Sequence, residues 1–441
     1  MKLAMRILTA LLALGLGVGH YFLIGFPDQA LSKTSPRTIS SSVEPLPLTL
    51  SCPGAFVQLG GPDGTDLGLV ERLGSALVSV QSIEEQLIDT PELSIVGFDS
   101  ASVAGSPQST ELLSMLQAQA VDQQRAIGIQ ASYCPQPLAQ GWLVNGAAVS
   151  GAESVLIAAN PSAVEALVQI EVHVANSFVA DTFALAPGEE QLISMARYAN
   201  GEKLFAVNFA TNGPEILMAL QNRETRGLTP IGIELEVPIS EPTQNAQFVG
   251  LRELTGGFTL PEFRVYNPGT EQAEVIVNAL DGENVELFRL QVPGGGFEAL
   301  ELEISERYQL ISMESDQPVV PAIKSFTIDP TLDFAWLQPA TSFRSLTMPL
   351  TSYRNSLVLA NPGTSPNEIT VSISTGTRTS VQSLVIPALG TTAISVTGSK
   401  VFIQGSSDFI AGLEILDAAG YSIITPSENA NLGNDLLIRI D

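Results

Sequence analysis

The sequence predicts an all-β protein: an N-terminal transmembrane helix followed by three tandem immunoglobulin-like β-sandwich units. Three observations predict it. An uncharged apolar run opens the chain, and one strand–turn–strand pattern recurs three times. Glycine and proline punctuate short apolar stretches throughout, 37 Gly and 28 Pro in 441 residues.

The apolar run comes first. Lys2 and Arg6 precede residues 7–26, which hold no charge. At ~1.5 Å rise per residue such a run reaches ~30 Å, the hydrocarbon thickness of a bilayer. The basic end stays cytoplasmic, which places the rest of the chain outside. Ala30 and Ser32 fit a small-residue cleavage site poorly. Residues 1–32 therefore read as a retained signal anchor, with secretion after cleavage as the alternative. Residues 33–51 are rich in Ser and Thr, carry Pro36, Pro45 and Pro47 and show no core-forming period, so they read as a tether.

Cys52 and Cys134 are the only cysteines, and both follow the anchor. In an exported chain a lone pair reads as one disulfide. A catalytic thiolate would need a basic partner, and the outer region offers one histidine, His173.

The repeat carries the rest. Asn160-Pro161, Asn267-Pro268 and Asn361-Pro362 are 107 and then 94 positions apart. Apolar pairs precede each: Leu156/Ala158, Phe263/Val265 and Leu357/Leu359. Alternating apolar positions follow: Val168/Ile170/Val172, Val275/Val277/Ala279 and Ile369/Val371/Ile373. A period of two marks a half-buried strand. Each unit is expected to end in a further strand and a hairpin-like return, at 214–220, 318–323 and 409–415. The expected boundaries are 52–230 for a first unit with an N-terminal extension, then 231–340 and 341–441. A propeller is the rival repeat fold, but its blades recur every ~40–50 residues. Within the extension, 109–125 reads as one short helix through Leu112, Leu113, Leu116 and Ala120. Trp142, close behind Cys134, is expected to pack on the bridge.

These pieces resemble the actinobacterial "large secreted protein" family, a family of unknown function on membrane-anchored, exported chains. The matching residues are Cys52-Pro53-Gly54, Cys134-Pro135, and Trp142 through Gly146. Leu156 to Pro161, Ala219-Leu220-Gln221 and Gly227 through Gly232 match too. The resemblance implies an envelope location and a β-rich build. It implies no reaction and no catalytic residue.

Composition excludes several functions. Lys plus Arg number 20 and Asp plus Glu 46, a net charge of −26. A nucleic-acid binder needs the opposite sign. Two histidines and two cysteines leave little for a zinc or haem site. No nucleophile elbow, metalloprotease helix or phosphate loop is present. His173 falls on the polar phase of its strand and reads as solvated. Asp63-Gly64-Thr65-Asp66 and Asp281-Gly282-Glu283 read as turns rather than calcium loops.

The expectation is a non-enzymatic cell-envelope protein without a cofactor, anchored once in the membrane. Its three-unit rod would act as a scaffold for other envelope proteins. The alternative is a carbohydrate-binding accessory of cell-wall polysaccharide assembly, with Trp336, Tyr353 and Tyr266 as ligand-facing aromatics. A hydrolase with an unrecognised carboxylate pair is the third reading.

Overall fold

The computed structural model describes residues 37–41, 49–60, 70–81, 93–96, 100–104, 114–175, 177–252, 260–304, 309–426 and 436–440. The expected anchor lies outside them, as do Asp63 and Asp66. Among the described residues no helix is long and apolar enough to cross a membrane. The chain divides into two compact units, Met1–Pro45 with Gly433–Asp441, and Leu46–Leu432. In the first, β1 (Arg37–Ser41) pairs antiparallel with β32 (Leu436–Ile440). Part of the expected tether is therefore a strand. Polar Ser and Thr do not prevent one, because pairing is made by backbone groups.

The second unit contains the repeats, and each is sandwich-like. In the first, one sheet runs β10 (Gln140–Gly146), β15 (Phe205–Asn212), β12 (Ala166–Val174), β13 (Ser177–Leu185). The other runs β14 (Glu190–Ser194), β11 (Ala152–Ala159), β16 (Leu217–Arg226), β17 (Thr229–Glu236). A single helical turn, α1 (Ala196–Ala199), follows β14.

The second repeat keeps this order with β18 (Thr243–Leu251), β23 (Gln309–Thr327), β20 (Ala273–Leu280) and β21 (Asn284–Val292). Its other sheet holds β22 (Phe297–Glu301), β19 (Glu262–Tyr266), β23 again and β24 (Asp333–Leu337). The third uses β25 (Ser342–Pro349), β30 (Lys400–Asp417), β27 (Asn367–Thr375) and β28 (Arg378–Ile386). Opposite stand β29 (Thr391–Val396), β26 (Asn355–Ala360), β30 again and β31 (Gly420–Ile424).

The period of two holds: Val168, Ile170 and Val172 are buried while Gln169 faces out. The hairpin returns do not hold in the later repeats. There β23 and β30 pass from one sheet into the other without reversing, and the register of β18 and β25 slips beside them. Strands that change sheets turn the corner by such irregularities. β17 also runs past the expected boundary at residue 230.

The Asn-Pro step has one task in all three repeats. Asn160, Asn267 and Asn361 are fully buried. Each Nδ2 donates to the carbonyl four residues on, at Val164 (2.7 Å), Glu271 (2.7 Å) and Ser365 (2.8 Å). Each also donates to the carbonyl 25 residues on, at Leu185 (3.0 Å), Val292 (3.1 Å) and Ile386 (3.2 Å). Each Oδ1 accepts the N–H two residues on, at Ser162, Gly269 and Gly363. The asparagine thus ties the loop to the end of the outer strand.

Residues 49–133 hold β2 (Thr49–Cys52), β3 (Phe56–Leu59), β4 (Val70–Leu73), β5 (Leu77–Gln81), β6 (Leu93–Val96), β7 (Ser100–Ala104), β8 (Ser114–Gln123) and β9 (Ala126–Tyr133). Of the expected helix at 109–125, residues 109–113 lie outside the described residues and 114–123 are instead β8, paired with β5 and β9. Both faces of its first half are buried, which suits a strand between layers and not an amphipathic helix. The Gln117 amide pairs with both backbone groups of Gly54, accepting its N–H at 2.8 Å and donating to its carbonyl at 3.0 Å.

The expected rod is not found. β9, β17, β24 and β31, the last strand of each region, lie side by side, and β31 returns to β9. Four seams close the circle. Val57 packs on Val155, Ile157 and Ala219 of the first repeat. Val144 and Ala206 of the first repeat pack on Val320, Ala322 and Trp336 of the second. Val249 and Leu310 of the second pack on Val358 and Ile410 of the third. Leu346 and Leu413 of the third join Leu116 and Ile129. The extension to the first unit is thus a fourth station of a ring. Head-to-tail contacts whose rotation closes cover the apolar face of each station with its neighbour.

Candidate functional site

The four last strands meet at Asp333. Its carboxylate is fully buried. Oδ2 accepts the N–H groups of Ile129 and Tyr421, both at 2.8 Å. Oδ1 accepts those of Phe334 at 2.9 Å and Ile233 at 3.2 Å. The donors occupy one equivalent position in each strand. The residue before each is Gly128, Gly232, Asp333 or Gly420. A Cβ on any of the three glycines would collide with the Asp333 carboxylate. Three stations give up a side chain so that the fourth can place one at the centre. Burial pushes the Asp333 carboxyl up, and the four N–H donors pull it back.

A second layer stands two residues further along, at Gln130, Glu234, Ala335 and Ser422, all buried. The Ser422 hydroxyl donates to Glu234 at 3.1 Å, and the N–H of Leu235 donates at 2.8 Å. Burial holds the Glu234 carboxyl well above the usual range, and the neighbouring Asp333 adds to the effect. At the end of the same strand Glu236 accepts the N–H groups of Val144 (3.0 Å) and Asn145 (3.3 Å). Burial pushes its carboxyl up to about 7, against those bonds and the nearby Arg264.

The seam between the first two repeats collects cations and rings. Arg264 stands 4.6 Å over the Trp336 ring. Lys324 lies 4.2 Å over Phe334 and 4.9 Å over Phe326 while pairing with Glu224. Burial lowers the Lys324 ammonium, and Glu224 opposes that. A guanidinium or ammonium over an aromatic face is favoured most where water is excluded.

The expected site residues divide. Cys52 and Cys134 are bonded, with Cα atoms 4.5 Å apart. The bridge packs with Leu50 and Met115. Trp142 is not on it; it belongs to the seam beside Trp336. Trp336 is 5% exposed, so it presents no sugar platform. Tyr266 is buried in the same seam, 4.4 Å from Phe297. Tyr353 lies apart in the seam between the third repeat and residues 49–133, its hydroxyl accepting the Ala120 N–H at 3.0 Å. The three aromatics share no exposed face because the closing ring consumed the surfaces that carry them.

His173 also departs from expectation. Its side chain is 14% exposed, between Trp142 (5.4 Å), Phe178 (5.4 Å) and Tyr266 (5.3 Å). Burial lowers its pKa, with Glu171 opposing, so it is neutral at pH 7. Asp281 and Glu283 form the β20–β21 turn, the Asp281 N–H donating to the Glu283 carbonyl at 3.1 Å. Among the described residues no group of three or more His, Cys, Asp or Glu is placed to hold a metal ion.

Sequence reasoning missed Asp333, Glu234, Glu236 and Lys324. The recurring glycine before an apolar residue (Gly128-Ile129, Gly232-Ile233, Gly420-Tyr421) was the available signal. Also missed was a cleft of ≈ 1040 Å³ between residues 49–133 and the first repeat, walled in part by Arg125, Arg223 and Leu228.

Residues 98–397 match the model of a family of unknown function, DUF5719. The chain belongs to that family. The match begins inside the fourth station and ends inside the third repeat, so it includes the first two repeats and part of the other two stations. No curated protein matches the chain. Among solved structures, a tetra-tandem repeat from the extending region of a large adhesion protein is 11% identical. It covers 87% of this chain and 92% of its own, with a TM-score of 0.11. At that score the two chains do not superpose as one fold.

Proposed function

We propose that this DUF5719 protein is a non-enzymatic envelope scaffold, held to the membrane by residues 1–32 and presenting its closed ring outside. One observation supports it above others. Among the described residues the carboxyls whose pKa is pushed up, Asp333, Glu234 and Glu236, and the lowered ammonium of Lys324 are buried where stations meet, bonded to backbone N–H, a hydroxyl or an opposite charge. They hold a frame together and face no solvent. A reactive pair of carboxylates would instead face a cleft.

The outer edges supply the contact surface of this reading. β28 pairs on one side only, with β27. Val381 and Val385 on it are 65% and 62% exposed. It carries one charged residue, Arg378, in a chain of net charge −26. An unpaired, nearly neutral strand is open to strand addition by a partner protein.

The test has two arms. Crosslinking in the intact envelope, with a photoreactive residue at Val381, should capture a protein partner. Co-sedimentation with isolated cell-wall polysaccharide should leave the protein in the supernatant at low and high salt. Salt-resistant pelleting would move the assignment to the carbohydrate reading. Fractionation that finds the chain in culture medium alone would remove the anchor.

A further inference from the structure

The cleft between residues 49–133 and the first repeat has a chemistry unlike the rest of the surface. Its charged walls are Arg125, Arg223 and Glu153. Arg223 is engaged, donating through Nη2 to Glu153 at 2.8 Å and through Nη1 to the Arg125 carbonyl at 3.1 Å. Glu153 is thereby neutralised. Arg125 is half-buried in the β8–β9 turn, and its Nη1 is buried with no acceptor in reach. A guanidinium presents five donors in a planar fork suited to a carboxylate or phosphate. Among the described lining residues the cleft thus holds one cation in excess, Arg125, on a chain of net charge −26.

The remaining wall is mixed, with Ser150, Ser194, Asn200 and Thr225 beside an apolar part. Leu59, Val70, Val149 and Leu228 line that part. Leu228, at the tip of the β16–β17 hairpin, is 98% exposed, leaving its whole side chain for contact. No aromatic side chain is among the described lining residues, so they offer no stacking surface of the kind a sugar would use. The volume is at the upper end of small-ligand sites.

We propose that this cleft binds a small amphiphilic anion, with its carboxylate or phosphate on Arg125 and its apolar part against Val70, Val149 and Leu228. This site stands independently of the scaffold reading. Arg125 supplies the charge recognition, Arg223 and Glu153 hold the floor, and the hairpin tip supplies apolar contact.

The test titrates the full chain, in a non-ionic detergent at constant ionic strength, with four probes followed by saturation-transfer NMR. Hexanoate and hexyl phosphate carry both features, acetate the anion alone and hexanol the apolar part alone. Saturable binding is expected for the first two, and whichever is tighter identifies the anion. Acetate and hexanol should each bind at least tenfold more weakly. Arg125→Gln should raise the apparent Kd for hexanoate at least tenfold, and Arg344→Gln, at an exposed pair with Asp408, should leave it unchanged. Leu228→Asp, at a position too exposed to affect folding, should also weaken binding tenfold by repulsion. Unchanged affinity in both Arg125→Gln and Leu228→Asp overturns the site. If Arg125→Gln fails to fold, Leu228→Asp alone decides. Acetate binding as tightly as hexanoate reduces the site to an adventitious anion only, and equal binding of hexanol removes the role of Arg125.

Discussion

Residues 49–133 and the three repeats occupy equivalent places in one ring, yet they are stabilised differently. Each repeat is tied internally by a buried asparagine with the same three hydrogen-bond partners by position. Residues 49–133 contain no asparagine at all. They are closed instead by the Cys52–Cys134 bridge and by glutamine amides bonded to backbone. The Gln221 amide of the first repeat reaches across to Val57 in the same way, accepting its N–H at 2.6 Å and donating to its carbonyl at 2.7 Å. What the four regions share is the last strand and its residue at the hub. Membership of the ring is therefore set by the strand that meets Asp333, while the body behind it is free to be tied by a covalent bond or by an amide.

The sharpest way to break that equivalence is to make all four stations alike. Asp333→Gly removes the acceptor of four buried N–H groups, each costing about 1–3 kcal/mol when orphaned. A loss of at least about 4 kcal/mol is expected in urea unfolding; a loss under 1 kcal/mol would show that the hub does not hold the stations together. The next largest effect separates the covalent station from the others. Cys52→Ala with Cys134→Ala opens a loop of 82 positions, which chain-entropy arithmetic values at about 4.5 kcal/mol, with real bridges often delivering less. Limited proteolysis should then cut first within residues 49–133, and a first cut in any repeat would contradict the division.

The third prediction concerns the junction of the first two repeats. Glu236 has its pKa raised from 4.5 to about 7. The folded chain then keeps a proton that the unfolded chain releases at lower pH. Its contribution is fully present below pH 4.5 and lost as pH rises through 7, by about 3 kcal/mol at most. Urea midpoints of Glu236→Gln at pH 5 and pH 8 should differ less than those of the wild type. The smallest effect tests the amide ties: Asn361→Ala should cost about 2 kcal/mol and leave residues 49–133 as protease-resistant as before.

The strands and the bridge were legible because their signals are local. Val168, Ile170 and Val172 alternate with polar neighbours, and a lone cysteine pair has one way to close. The recurring Asn-Pro step marked the repeat length, although its hydrogen bonds reach 25 residues ahead and no short window contains them. The β8 segment was not legible because Leu116 and Ala120 fit a helical face equally well; partners on both sides decided for a strand. The alternative carbohydrate reading needs Trp336, Tyr266 and Tyr353 on one exposed face, which separate units would leave free. A closed ring does not leave it free.

The sequence by itself determined the all-β build, the repeat and the disulfide, since periodicity, spacing and cysteine count can be read along the chain without knowing which strands meet. Only the tertiary structure decided that residues 49–133 are a fourth station, that the last strands converge, and that Asp333 stands where three others have glycine. Those facts depend on backbone N–H groups from Ile129, Ile233 and Tyr421, drawn from strands up to about 300 residues apart. A single buried carboxylate can collect such donors only after the ring has closed.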